Sequence, residues 1–165
     1  MKSIRRQLTR ELLGATFALL GIGLLALYFA ARDAAYDQFD DALRAKALAI
    51  STLTMRFPSG VKLDFSDRFF RGFDDRKPRD FFELWDENDR PIARSESVRR
   101  ANDLPRRTGK LERPTRWNLE LPNDRAGRAI GFVFKPNASR LRDRPNREVQ
   151  LVVASDREEL DETLW

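Results

Sequence analysis

Leu12-Leu-Gly-Ala-Thr-Phe-Ala-Leu-Leu-Gly-Ile-Gly-Leu-Leu-Ala-Leu-Tyr-Phe-Ala-Ala31 runs for twenty residues without a charge. As a helix rising about 1.5 Å per residue it covers roughly 30 Å, the hydrocarbon thickness of a bilayer. A buried helix of a soluble protein is the competing reading. The rest of the chain is too polar to enclose a helix that is apolar on every side. Thr16 can bond back to its own helix, and Tyr28 stands near one end, where a phenol reaches headgroups. Residues 12–31 are therefore expected to span a membrane.

The flanks orient the span. Lys2, Arg5, Arg6 and Arg10 precede it, whereas Arg32 follows with Asp33, Asp37, Asp40 and Asp41. The excess of cations before the span places residues 1–11, a basic tail, in the cytoplasm and everything after residue 31 outside. A cleaved signal peptide would have a shorter apolar core and small residues at both −3 and −1. The pairs near the end of this core, such as Phe29/Ala31 and Arg32/Ala34, are not small at both places, so an uncleaved anchor is expected. Gly14 with Ala18, and Ala26 with Ala30, are small-xxx-small pairs that let two helices approach.

Composition excludes much chemistry. Of 165 residues, 31 are Lys or Arg and 26 are Asp or Glu, for a net charge of +5, and His and Cys are both 0. Without these two residue types there is no histidine base, no thiol nucleophile, no disulfide and no zinc or haem site of the usual nitrogen or sulfur kind. No Walker or GxGxxG loop is present, so no nucleotide cofactor is indicated. No pair of carboxylates stands apart as catalytic, and the chain is read as a non-enzyme with no cofactor. Asp86-Glu-Asn-Asp-Arg-Pro91 resembles a calcium loop, but Arg90 and Pro91 occupy places where a ligand and a glycine are needed. A hairpin turn is the better reading.

Beyond the span, Tyr36, Phe39, Leu43, Ala47, Ile50 and Thr54 fall at steps of three or four, predicting an amphipathic helix over residues 32–56. It can pack on its own domain and also pair with a second copy. Phe57-Pro58-Ser59-Gly60 ends it. Residues 61–80 mix Phe with charge and read as loop with room for one short helix, packed through its Phe residues. Strands are predicted at 81–85 and 91–95, then at 116–121 and 128–135 around an Asn-Asp turn, and at 148–154. Short connections favour antiparallel pairing. Residues 96–115 and 136–147 read as basic loops. Ser155-Asp-Arg-Glu158 has the form of a capping box that opens a last helix over 156–165. The outcome is an α+β domain over 57–155 between two helices.

Residues 99–147 hold fourteen Lys/Arg against five Asp/Glu. A solvated face is the simplest account of them. On the outer side of a membrane nucleic acid is scarce, so anionic headgroups, polyanions or acidic metabolites are the better targets. Arg71, Arg76, Arg79 and Arg94 could hold an anion, and Trp85 could line a pocket.

Taken in order, several features resemble the N-terminal part of bacterial two-component sensor histidine kinases. They are the basic start Met1-Lys-Ser-Ile-Arg-Arg-Gln-Leu8, the anchor 12–31 and the acidic helix Ala35-Tyr-Asp-Gln-Phe-Asp-Asp-Ala-Leu43. Phe82-Glu-Leu-Trp-Asp86 leading to Ile92-Ala-Arg-Ser95, and the exit from Val149 to Leu164, complete the set. The resemblance implies a periplasmic sensor of the PAS/PDC kind, an antiparallel sheet of about five strands, on a single-pass protein of the bacterial inner membrane. It implies pairing with a second copy or with a full-length sensor kinase, and an unknown small or anionic signal. In the family a second span, a HAMP linker, a phosphoacceptor histidine and an ATP-binding domain follow. This sequence stops where the second span should begin and has no histidine, so the resemblance implies a sensor module without its output. The alternative is a single-span periplasmic adaptor or inhibitor unrelated to kinases.

Overall fold

The computed structural model describes residues 4–57, 60–63, 79–99, 103–138 and 148–163. The chain divides into two compact units, Met1–Gln38 and Phe39–Trp165. The first unit is helical. It is the N-terminal part of α1 (Ile4–Leu53), which continues into the second unit without a break. Leu12, Leu13, Phe17, Leu19, Leu20 and Ile22 all expose half or more of their surface. Large apolar side chains left uncovered along this stretch fit a membrane anchor. This is the one helix among the described residues long and apolar enough to cross a membrane. Thr16 Oγ1 donates to the Leu12 carbonyl at 2.9 Å, which satisfies its hydroxyl within the helix. After the span, the Arg32 guanidinium lies 5.8 Å from the Tyr36 ring centroid.

In the second unit α1 stops at Leu53, three residues before the pattern predicts. The hydroxyls of Ser51, Thr52 and Thr54 turn back on the carbonyls of Leu48, Ala49 and Ile50, each at 2.8 Å. Such bonds compete with the helical ladder, and β-branched Thr residues add their own resistance to helix. The chain passes directly into β1 (Thr54–Phe57) and β2 (Gly60–Leu63), an antiparallel pair.

The main sheet uses β3 (Asp80–Trp85), β4 (Pro91–Arg94), β5 (Gly109–Lys110), β6 (Thr115–Glu120), β7 (Ala126–Phe134) and β9 (Val149–Asp156). Its order is β4-β3-β9-β7-β5, with β6 also paired to β7. The domain is α+β, as the sequence predicts, but the sheet has six strands and is mixed, because β5 runs parallel to β7. A smaller sheet joins β2, β1 and β8 (Asn137–Ala138), the last parallel to β1. Two-residue strands such as β5 and β8 leave no alternating pattern to read. The stretch expected to be loop after residue 95 also begins with a short helix, α2 (Glu96–Arg99).

Strand alternation sorts the core into two layers. On one face Phe82, Leu84, Ile130, Phe132, Phe134, Val149, Leu151 and Val153 pack against Leu43, Ala47 and Ile50 of α1. On the other, Phe81, Trp85, Trp117, Ala129, Val152 and Ala154 meet Val98, Leu104 and Leu121. The expected hairpin turns are present at 86–90 and 122–125. In the first, Asp86 Oδ1 accepts the amides of Asn88 and Arg90 at 2.9 and 2.8 Å. Each turn carries one Asp in the left-handed region, Asp89 (φ 60) and Asp124 (φ 61), where a short polar side chain tolerates that backbone.

Candidate functional site

The helix-facing side of the sheet ends in a row of polar residues. Register places Asn118 opposite Arg128, Arg128 opposite Ser155, and Ser155 opposite Asp80, so the row crosses β6, β7, β9 and β3. The row meets two charges on α1. Asp40, only 4% exposed, receives a bidentate fork from Arg128: Nε donates to Oδ1, and the terminal nitrogen donates to Oδ2 at 2.7 Å. A second terminal nitrogen of Arg128 donates to Asn118 Oδ1 at 3.0 Å, and Arg116 Nε lies 3.7 Å from Asp40 Oδ2. Six residues along α1, Lys46 Nζ donates to both oxygens of Asp80, at 2.6 and 2.8 Å.

Beside these pairs Leu43, Ala47 and Ile50 make the apolar contact. The spacing of Asp40, Leu43, Ala47 and Ile50 puts all four on one helical stripe. The docked part of α1 is thus an apolar seam with a rigid fork at one end and a flexible lysine on its flank.

Asp80 also serves β9. Ser155 Oγ donates to its Oδ1 at 2.5 Å, so one carboxylate touches the incoming helix and the outgoing strand. Ser155 is consequently a strand residue and not the helix cap that the sequence suggests. The cap is Asp156, whose Oδ1 accepts the Glu158 amide at 2.8 Å at the start of α3 (Glu158–Thr163). Arg125 ties this end to the β6–β7 turn, reaching Asp156 Oδ2 at 3.0 Å and Glu158 Oε2 at 2.7 Å. The hydrogen bond to Asp156 and the charge of Glu158 raise the Arg125 pKa further above its already high value.

The opposite side of the sheet holds a buried acid. Alternation in Phe81-Phe-Glu-Leu-Trp85 turns Glu83 to the same face as Phe81 and Trp85, where it is 0% exposed. Its Oε2 accepts the Leu104 amide at 3.1 Å, and its Oε1 lies 2.6 Å from Arg94 Nε. That second contact is close but off the N–H axis, so Oε1 gains charge proximity without an aligned hydrogen bond. Burial raises the Glu83 pKa. The Leu104 amide, Arg94 and Arg106 pull it down, and Asp103 pushes it up.

Of the residues the sequence singles out, Arg71 and Arg76 lie outside the described residues. Arg79 is exposed at the start of β3, and its carbonyl accepts the Asp156 amide at 2.8 Å. Trp85 is 1% exposed and packs in the second core layer, with the Arg106 guanidinium 5.4 Å from its ring centroid. Arg94 pairs with Glu83 and, at 3.0 Å, with Asp103. The structure thus brings Trp85 and Arg94 together around Glu83 and leaves Arg79 elsewhere. Asp40, Asp80, Glu83 and Arg128 are the functional candidates the sequence did not reveal. Only Glu83 carried a signal: a lone charge in an apolar strand, on the inward parity.

No curated protein and no solved structure matches the chain. The profile of the two-component sensor kinase N-terminal family matches residues 16–165, which takes in most of the apolar span, the clamped helix, both sheets and the last helix. With a match over nearly its whole length, this chain belongs to the two-component sensor kinase N-terminal family.

Proposed function

We propose that the chain is the membrane-anchored signal-sensing module of a two-component sensor kinase, with residues 1–11 in the cytoplasm and the domain from residue 39 onward in the periplasm of the bacterial inner membrane. The observation that carries this reading is the continuity of α1. The helix that leaves the apolar span is the same helix that docks on the sheet through Asp40 and Lys46. A sensor needs a segment held by the sensing domain and running into the bilayer, and α1 is such a segment. Asp80 then couples that helix to β9, the strand that leads toward the C-terminus.

Signalling in this scheme is a shift between two placements of α1 on the sheet. A signal that binds one placement better moves the population toward it. The module performs no chemistry itself. Its expected partners are the bilayer and a second helix of the same kind, supplied by another copy or by a full-length kinase.

The test is sidedness. Alkaline phosphatase fused behind Trp165 is expected to be active and a fluorescent reporter at the same place dark. The opposite pattern ends the sensing reading. Pairing is tested by single cysteines introduced along residues 34–48 of a chain that has none. Disulfide cross-links at helical periodicity in membranes are expected, and equal reactivity at every position would remove the pairing.

A further inference from the structure

We infer that Glu83 is a proton-binding site and that the segment 103–108 is a latch which the proton closes. The inference deepens the sensing reading, on which it rests, by naming the proton as a ligand of the domain.

The segment is laid on the sheet at three points. Leu104 is buried in the second core layer and gives its amide to Glu83 Oε2 at 3.1 Å. Arg106 covers Trp85 and reaches Asp89 Oδ1 at 2.9 Å. The Arg107 carbonyl comes down on Gly131, so closely that a Cβ there would stand 2.1 Å from its oxygen. Gly131, Val152 and Glu83 form one cross-strand row, so the segment crosses directly over the acid. Among the described residues the charged groups that face Glu83 are Arg94 from β4, and Asp103 and Arg106 from the segment. β9 and β7 present Val152 and Gly131, which cannot titrate.

With the segment down, an ionised Glu83 has one aligned amide and one misaligned guanidinium in place of water. That is too little to repay the loss of hydration, which is why burial outweighs Arg94 and the amide. With the segment lifted, water reaches the carboxylate and the penalty disappears. The closed form therefore holds the proton more tightly than the open form, and linkage requires that protons favour closure. On protonation Arg94 loses one carboxylate and keeps the other, Asp103.

Amide hydrogen exchange on the full chain in lipid nanodiscs reads this directly, across a pH series and corrected for the intrinsic exchange rate. Protection of the peptide spanning 103–108 is expected to rise as pH falls, by at most about tenfold per pH unit, the limit for one proton. Peptides from β9 should show no such slope. Glu83→Gln, an uncharged near-isostere, should be protected at every pH with the slope gone. Asp103→Asn, at an exposed position, should move the transition to lower pH by removing the charge that raises the affinity of Glu83 for its proton. The same slope in wild type and Glu83→Gln, or protection that falls on acidification, overturns the latch. Should Glu83→Gln fail to fold, an unmoved transition in Asp103→Asn overturns it as well. None of these results depends on which side of the membrane the domain occupies, so the reporter fusions stand or fall separately.

Discussion

Among the described residues, neutralising Asp40 should loosen α1 from the sheet more than any other single change of charge. Asp40→Asn keeps the shape of the side chain and removes its charge, taking the carboxylate out of the fork while Arg128 keeps its bond to Asn118. Breaking a fully buried ion pair costs about 3–5 kcal/mol. The Arg128 side chain is 20% exposed, and water can compensate part of its charge, so the cost is about 2–4 kcal/mol. At about 4 °C per kcal/mol for a domain of this size, the melting temperature should fall by roughly 10 °C. The assay is thermal unfolding in mild detergent, followed by the fluorescence of buried Trp85 and Trp117.

The corresponding pair at Lys46 sets the scale. Lys46 is 42% exposed, so Lys46→Met should cost about 1 kcal/mol or less after screening by solvent. Combining Asp40→Asn with Arg128→Gln completes a double-mutant cycle, which should return a coupling energy above about 1 kcal/mol. A loss below about 1 kcal/mol in Asp40→Asn, or strict additivity in the cycle, would refute the argument that the fork holds the helix.

Three other outcomes follow from the same structure. Ile50→Ala opens a cavity beneath the apolar seam and should cost about 2–5 kcal/mol in denaturant unfolding, with an unchanged slope. Gly131→Ala drives a methyl into the Arg107 carbonyl. It should raise hydrogen exchange in 103–108 and cost about 1–3 kcal/mol, since the neighbour is backbone and cannot turn aside. Because burial raises the Glu83 pKa, the stability that group contributes is fully present below the ordinary glutamate pKa and is lost as pH rises through the raised value. Melting temperatures of Glu83→Gln and wild type should therefore diverge in favour of the variant from acid to neutral pH. Differences that are constant across the series would contradict the assigned cause.

The strands were legible because half-buried antiparallel strands alternate. Trp117, Leu119 and Leu121, or Ile130, Phe132 and Phe134, declare a face by themselves. The apolar span was legible from length alone. The end of α1 was less so, since Thr54 continues the helical stripe and only its hydroxyl, bonded to the Ile50 carbonyl, shows where the ladder fails. β5 and β8 are too short for any period. The polar row is hidden for a different reason: Asp40 and Arg128 stand 88 residues apart, and only the packing of α1 on the sheet brings them together. Ser155 misled because a serine three residues before a glutamate satisfies the capping pattern, while tertiary contact with Asp80 keeps it in the strand. Arg94 looked like a free cation in a sequence rich in arginine, yet the inward parity of Glu83 had already matched it.

The unlike chemistry of the two fasteners on α1 limits how that rod can travel. A planar guanidinium gripping both carboxylate oxygens resists sliding and twisting alike, whereas an ammonium on four methylenes follows its counter-ion through several ångströms. Asp40 is then a pivot and Lys46 a slack tether. The docked part of α1 should therefore turn about Asp40 in preference to sliding along the sheet, which would shear the fork.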